Sequence, residues 1–318
     1  MIKIPFNSIT FSQEAKEIVS GVNLTFNYDN IKSRLTQVAV VMQKIIGKQT
    51  YTSIAEINPE NADENLKSAL DYLKRAMLNF AFYHHLIFIA VRISNDGVTT
   101  KKNDDETTAF KYQTDEIKIS LIESAWFWMD QLYAILEENK EAFSAWPESS
   151  QYKQLKSLIV TKDDFTYQFG IESTYFFATC APLIRKSIEE DISPRIAIND
   201  LQIVDTDTEQ VKILKGEILS MAKKAIVYRT LSLACKLYSF YELPAPLRKA
   251  ADDEIHKGQS AEEYVQKNVS SMLASSADSA LQKLEIKTKI LKNKSAAVSS
   301  TAYPEYRLDE SDKFFFSL

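Results

Sequence analysis

Glycine and proline are scarce in this chain, with 6 and 8 among 318 residues. So few turn-formers argue against an all-β protein of many short strands and favour long regular elements. Cysteine is almost absent. Cys180 and Cys235 are too few for a secreted disulfide framework and lack the CxxC spacing of zinc or redox sites, so both read as small buried residues. Basic residues are not in excess: 38 Lys and Arg face 43 Asp and Glu, for a net charge of -5. That removes the strongly basic footprint of nucleic-acid binders, and no direct nucleic-acid binding is expected. A charged start followed by an apolar core is missing from MIKIPFNSITFSQ, so no signal peptide is expected and the expected location is cytoplasmic. The longest apolar stretch, Met77 to Ile93, is interrupted by Asn79, His84, His85 and Arg92. A membrane span needs about 20 mostly apolar residues, so no membrane association is expected.

What the chain has is hydrophobic residues at helical spacing, 45% of the composition. Ile31, Leu35, Val38, Met42 and Ile45 predict a helix over 28–46 with Gly47 as its stop. Asn58-Pro59 reads as the start of the next helix. Its seam runs Leu66, Leu70, Leu73, Met77, Phe80, His84, Ile87, Val91, with His84 at a core position and His85 beside it. Asp96-Gly97 is a tight-turn signal, and 101–106 is a charged insert. A third helix over 109–139 carries Ile117, Leu121, Ala125, Trp128, Leu132 and Ile135 on one face, completing an αα-hairpin. A short strand pair or irregular linker is expected within 159–171. Thr206 with Glu209, and Ser260 with Glu263, read as capping boxes opening two more long helices, the first continuing its burial through Leu233 and Leu237. The predicted fold class is mainly α: long antiparallel helices with, at most, a small strand pair in the inter-helix loops. The expected organisation is an extended arm over 1–25 with some strand character, helical subdomains over 26–157 and 158–291, and a polar tail over 292–318 ending in KFFFSL.

Motifs for chemistry fail on inspection. Adjacent histidines on a helix diverge by about 100°, whereas a helical metal pair needs a spacing of three or four. GKQT at 47–50 lacks the glycine of a phosphate loop, since Met42 stands there. DTDTEQ at 205–210 lacks the glycine and final glutamate of a calcium loop, with Gln210 and Gly216 in their places. No Gly-x-Ser-x-Gly is present. No catalytic residue, metal ligand or cofactor site is therefore assigned. Trp126, Phe127, Trp128 and Tyr133, with Tyr175, Phe176 and Phe177, read as core packing between helices or as a partner surface. Phe314, Phe315 and Phe316 follow a polar tail and read as a docking peptide, onto this chain or a neighbour.

The ordered series VRISNDGV, TAFKYQTDEIKISLIESA, FSAWPESSQY, LIVTKDDFTYQFGIESTYFF and IRKSIEEDISPRI resembles an uncharacterised family of gut-bacterial, prophage-associated proteins. In scale these are similar to phage head–tail connector components, and the resemblance covers roughly residues 60–200. It implies a non-enzymatic structural protein without cofactor, a homo-oligomer that also contacts other phage structural proteins and enters a virion. The candidate contact residues are Asn95, Asp96 and Gly97 at the hairpin turn and Phe314, Phe315 and Phe316 in the tail. The rival expectations are a helical interaction or scaffold protein with no virion role and, behind it, a metal-binding helical enzyme.

Overall fold

Helical periodicity in the sequence becomes helical packing in the computed structural model, which describes residues 2–19, 26–94, 97–100, 111–250 and 260–300. The N-terminal segment is not wholly extended: Phe11–Ile18 forms α1. It is held by burial of Phe11 and Ala15, by edge contacts of Phe11 with Phe6 and Tyr28, and by the Tyr51 hydroxyl donating to the Lys3 carbonyl at 2.8 Å. Ile2, Ile4, Phe6 and Phe11 thus find a helical surface to cover, while Ile9 stays exposed, in a segment expected to be an extended arm with some strand character.

Helix α2, Tyr28–Ile46, opens on Asn27, whose side chain accepts from the Asn30 N–H, and stops at Gly47. Gly47 has φ +90°, a backbone conformation that side chains disfavour, and leads directly into α3, Lys48–Ala55. Helix α4, Glu64–Ala90, starts later than Asn58-Pro59 suggested. Asn58 folds onto its own turn, its Oδ1 accepting from the Glu60 N–H at 3.1 Å, and Asp63 is the cap, accepting from the Leu66 N–H at 2.9 Å. Leu70, Leu73, Met77 and Phe80 are buried as the seam predicts. His84 is exposed, which corrects its placement in the core. Val91 lies past the helix end. It opens β1, Val91–Ser94, which pairs antiparallel with β2, Gly97–Thr100, in the register Ser94↔Gly97.

Helix α5, Lys111–Glu138, packs antiparallel on α4. Its buried face is rotated from the expected one: Ile122, Trp126, Met129 and Tyr133 join Leu121, Ala125 and Leu132 inside, while Ile117 is exposed. Short helices α6, Ala145–Glu148, and α7, Ser150–Lys156, follow. In place of the strand pair or irregular linker expected over 159–171 stands α8, Lys162–Phe169. Asp164 accepts from the Thr161 N–H at 2.8 Å, a capping pair built on aspartate, and Gly170 ends the helix at φ +66°.

Helices α9, Thr174–Thr179, and α10, Ala181–Ser187, are separated at Cys180, with Pro182 in the first turn of α10. The chain then passes through a π turn, Ile188–Ile192, to α11, Glu209–Leu237. The cap of α11 is Thr208, two residues beyond Thr206. Asp207 explains the shift, because its carboxylate closes the preceding turn on the Val204 N–H at 2.9 Å and binds Lys215 at 2.7 Å. Leu237, expected inside, is exposed. Helix α12, Ala245–Lys249, leads to α13, Ala261–Tyr264, a second π turn, Val265–Val269, and the long α14, Ser270–Ser300. Ser260 precedes α13 without a side-chain capping bond. Helices α11 and α14 pack antiparallel along most of their length. Arg229 ties them together, reaching Asp191 at 3.1 Å and Asp278 at 2.6 Å.

Buried side chains from Phe6 to Leu291 form one contiguous core. Among the described residues, no helix is long and apolar enough to cross a membrane.

Two glycines give opposite expectations. A Cβ on Gly47 would be strained by its φ and would stand 3.0 Å from the Ser149 Cβ, whereas one on Gly216, inside α11, would meet nothing within 4 Å. Gly47→Ala is expected to destabilise by about 1–3 kcal/mol. Gly216→Ala is expected to stabilise by about 0.5–1 kcal/mol. Urea denaturation of the two variants checks both signs.

Candidate functional site

The aromatic run of α5 meets that of α9. Trp126 stacks on Phe176 with ring centres 5.5 Å apart and tilts against Tyr175 at 5.8 Å. Tyr175 in turn meets Phe80 of α4 at 5.4 Å. Asp130 of α5 fixes this contact from below. Its carboxylate accepts from the Tyr175 N–H at 2.7 Å and the Ser173 hydroxyl at 3.2 Å, capping α9 from a neighbouring helix. Burial pushes the Asp130 carboxyl above its ordinary range, against the pull of those donors.

Above the aromatic layer the helices part, leaving a cleft of about 490 Å³. Phe80, Trp126 and Tyr175 pave its floor, Val38, Val41 and Met42 of α2 form one wall, and Arg34, His84 and Glu242 carry its charge and basicity. This size lies in the usual range of small-molecule and side-chain pockets.

The wall opposite α2 is the connection after α11, and several polar contacts hold it. The Tyr238 hydroxyl donates to the Thr179 carbonyl at 2.9 Å, and the Tyr241 hydroxyl donates to Asp115 of α5 at 2.6 Å. Arg248 is buried; it donates to the Leu243 carbonyl at 2.7 Å and pairs with Glu123 of α5. A buried guanidinium is tolerated only with such partners. Glu242 is thereby carried on a braced turn.

His84 stands at the cleft edge with its ring against Tyr83, centres 5.0 Å apart. The residue is open to solvent overall, yet protein surrounds enough of the imidazole to matter. Burial lowers its pKa from the ordinary value, Glu242 pulls it back up and Arg34 pushes it further down. The net shift is downward, so His84 is neutral at pH 7 and offers one donor and one acceptor. His85 points elsewhere, its ring edge-on to Phe26 at 5.8 Å. The two histidines therefore serve different surroundings, as their angular separation on a helix requires. Among the described residues no group of three or more His, Cys, Asp or Glu is placed to hold a metal ion. Cys180 and Cys235 are free and buried, and burial pushes the Cys235 thiol up to about 12, so neither is poised as a thiolate. The cleft has the makings of a binding surface: an apolar aromatic floor, one cation, one anion and a neutral imidazole.

Of the contact residues assigned from sequence, Gly97 begins β2. Asn95, Asp96, Phe314, Phe315 and Phe316 lie outside the described residues, as do His256 and the insert 101–106. The cleft brings together residues that sequence reading left unassigned, Arg34, Val41, Tyr238 and Glu242. The one signal for it was a basic side chain, His84, on an otherwise apolar seam.

A second surface also stands out. Along the paired α11 and α14, Ile213, Met272, Ile286 and Ile290 are 63%, 54%, 61% and 43% exposed. Met272 lines a groove of about 770 Å³ between the two helices, with the small side chains Ser276, Ser279 and Ala280 and with Lys224, Tyr228 and Lys283. On α14 the positions 272, 276, 279, 283, 286 and 290 step by four and three, so they form one continuous stripe.

Residues 41–155, roughly a third of the chain, match a family of unknown function (DUF6712). The matched region contains Val41, Phe80, His84 and Trp126 of the cleft and the whole α4–α5 hairpin. No curated protein and no solved structure matches the chain.

His84 supplies a direct test of the cleft's electrostatics. Because its native pKa lies below the unfolded one, the native state binds this proton less readily. The histidine thus leaves stability intact above the unfolded value, and stability falls as pH drops through that value toward the native one. An NMR titration of the imidazole is expected to show a midpoint below about 6.5. Glu242→Gln moves it further down and Arg34→Gln moves it up. A midpoint at or above the free value contradicts this electrostatic reading.

Proposed function

We propose that this chain is a non-enzymatic, self-associating structural protein of a phage or prophage, a head–tail connector-type adaptor subunit that packs against copies of itself and against other virion proteins. The observation that carries the reading is the exposed stripe on α11 and α14. Ile213, Met272, Ile286 and Ile290 lie along one side of the longest antiparallel helix pair, where a monomer would be expected to place charge. Small residues in the groove between the helices leave room for a partner's side chains, the arrangement by which one helix surface accepts another. Lys224 and Lys283 border the groove and Lys287 pairs with Glu217 at 2.6 Å, giving a polar rim to an apolar strip.

Support for the virion role comes from the resemblance of the hairpin and the motifs that follow it to prophage-associated proteins. A subunit of a ring needs rigid helices and two different contact surfaces, since rings are closed by head-to-tail interfaces. The described residues offer two such surfaces, the stripe and the cleft. A helical scaffold outside any virion would use the same surfaces, and the genes beside this one distinguish the two. Capsid and terminase genes as neighbours support the virion role, and a non-phage neighbourhood contradicts it.

Light scattering of the purified protein over a hundredfold concentration range tests self-association. The wild type is expected to form oligomers. Met272→Glu with Ile286→Glu, both on exposed positions, is expected to weaken association at least tenfold while leaving the melting temperature within a few degrees. A wild type that scatters as a monomer throughout, or oligomers untouched by the double substitution, contradicts the proposal.

A further inference from the structure

We infer that the cleft beside His84 receives the Phe-rich segment 312–316 of a second copy of this chain, in a head-to-tail contact. This rests on the self-association proposed above and names a surface and an occupant for it.

The cleft fits such a segment in shape and chemistry. Its floor is three aromatic rings, Phe80, Trp126 and Tyr175, on which phenylalanine side chains pack edge-to-face or offset. Val41 of the α2 wall is 48% exposed, although the rest of that wall, Val38 and Met42, is buried in the core. An aliphatic side chain at a cleft edge is left half-covered, and a phenyl group seated on the floor would cover it. Arg34 and Glu242 both act on His84, one from α2 and one from the connection after α11, so the mouth carries both signs of charge. Asp312-Lys313 immediately precedes Phe314-Phe315-Phe316. The aspartate suits Arg34, the lysine suits Glu242, and the phenylalanines enter between them. A neutral His84 accepts or donates one hydrogen bond to the peptide backbone without charge repulsion toward Lys313.

The geometry of α14 decides which copy supplies the segment. The helix starts beside the end of α11, where the Ser232 hydroxyl donates to the Ser270 carbonyl at 2.7 Å. The end of α11 is also the cleft side, through Tyr238 and Glu242. Helix α14 then runs 31 residues away from it. At 1.5 Å per residue its far end is about 45 Å from its start. From Ser300 to Phe314 is 14 residues. Fully stretched, they span at most about 50 Å, so a return to the chain's own cleft would need a nearly straight strand. A neighbour's cleft lying near the end of α14 is reached with slack. A tail leaving one end of a subunit and a cleft at the other are the two halves of a heterologous interface.

The test uses full-length chains. An acceptor carries Phe314→Ser, Phe315→Ser and Phe316→Ser, which leaves the cleft intact and its own segment silent. A donor carries Val41→Asp, which blocks the cleft and keeps the segment. Fluorescently labelled acceptor is titrated with donor, and separately with a chain bearing all four substitutions. Donor is expected to bind at least ten times more tightly than the fourfold variant. Equal affinities overturn the inference. The α11–α14 stripe is intact in every chain, so its contribution is common to both titrations, and the failure of one reading is separable from that of the other. A labelled peptide of residues 309–318 provides the second readout. It is expected to bind the acceptor, to bind acceptor carrying Val41→Asp at least tenfold more weakly, and to lose affinity with Arg34→Glu in a way that Asp312→Arg in the peptide restores. No binding, or binding indifferent to Val41 and Arg34, overturns the cleft as the site. Peptide binding without a donor–acceptor gain overturns the second copy as the source.

Discussion

The stacking of Trp126 on Phe176 is the contact on which the rest of the molecule depends. It joins the α4–α5 hairpin to the short helices and the α11–α14 pair that follow. Asp130 holds α9 in place by capping it from α5, so the aromatic layer is fixed by hydrogen bonds to the backbone as well as by ring packing. Rings of this size are too stiff to collapse into a seam between helices. Where Trp126, Tyr175 and Phe80 meet α2 and the turn after α11, the packing therefore stops short of closure and leaves the cleft. Core and candidate site are the upper and lower faces of one aromatic layer.

The same layer accounts for what was legible in the sequence. Long apolar seams with a period near 3.6 gave α2, α4, α5 and α11, and the mainly α class follows from them. Their ends were harder to read. Asn58 and Thr206 are good caps in isolation, but Asp63 and Thr208 win because the intervening residues close turns of their own, through Asn58 onto Glu60 and Asp207 onto Val204. The segment 162–169 looks extended in sequence because Asp164 stands where a glutamate marks the usual capping box. Ile117 and Leu237 fit their periodic stripes yet lie outside, because period does not say where the neighbouring helix ends.

The candidate site was barely legible, and the reason is topological. Arg34, His84, Trp126, Tyr175 and Glu242 come from five separate elements, and only the packing of α9 on α5 and the bracing of the connection by Tyr238, Tyr241 and Arg248 bring them together. His84 alone left a trace, as a basic residue in an apolar seam. Its role changes accordingly, from a core position to the edge of a cleft where burial keeps it neutral against the pull of Glu242.

Two surfaces then carry the functional account: an exposed stripe on the outer helix pair and a cleft that suits an aromatic segment. Both are expected to be covered in an assembly and bare in a monomer. Hydrogen exchange of the full-length protein, followed by mass spectrometry across a wide concentration range, tests this most directly. The account predicts that protection rises with concentration in the segments around Val41 and His84 and along the 272–290 stripe, while the buried hairpin around Leu73 and Met77 is unchanged. Exchange that is identical in all these segments at every concentration would contradict it.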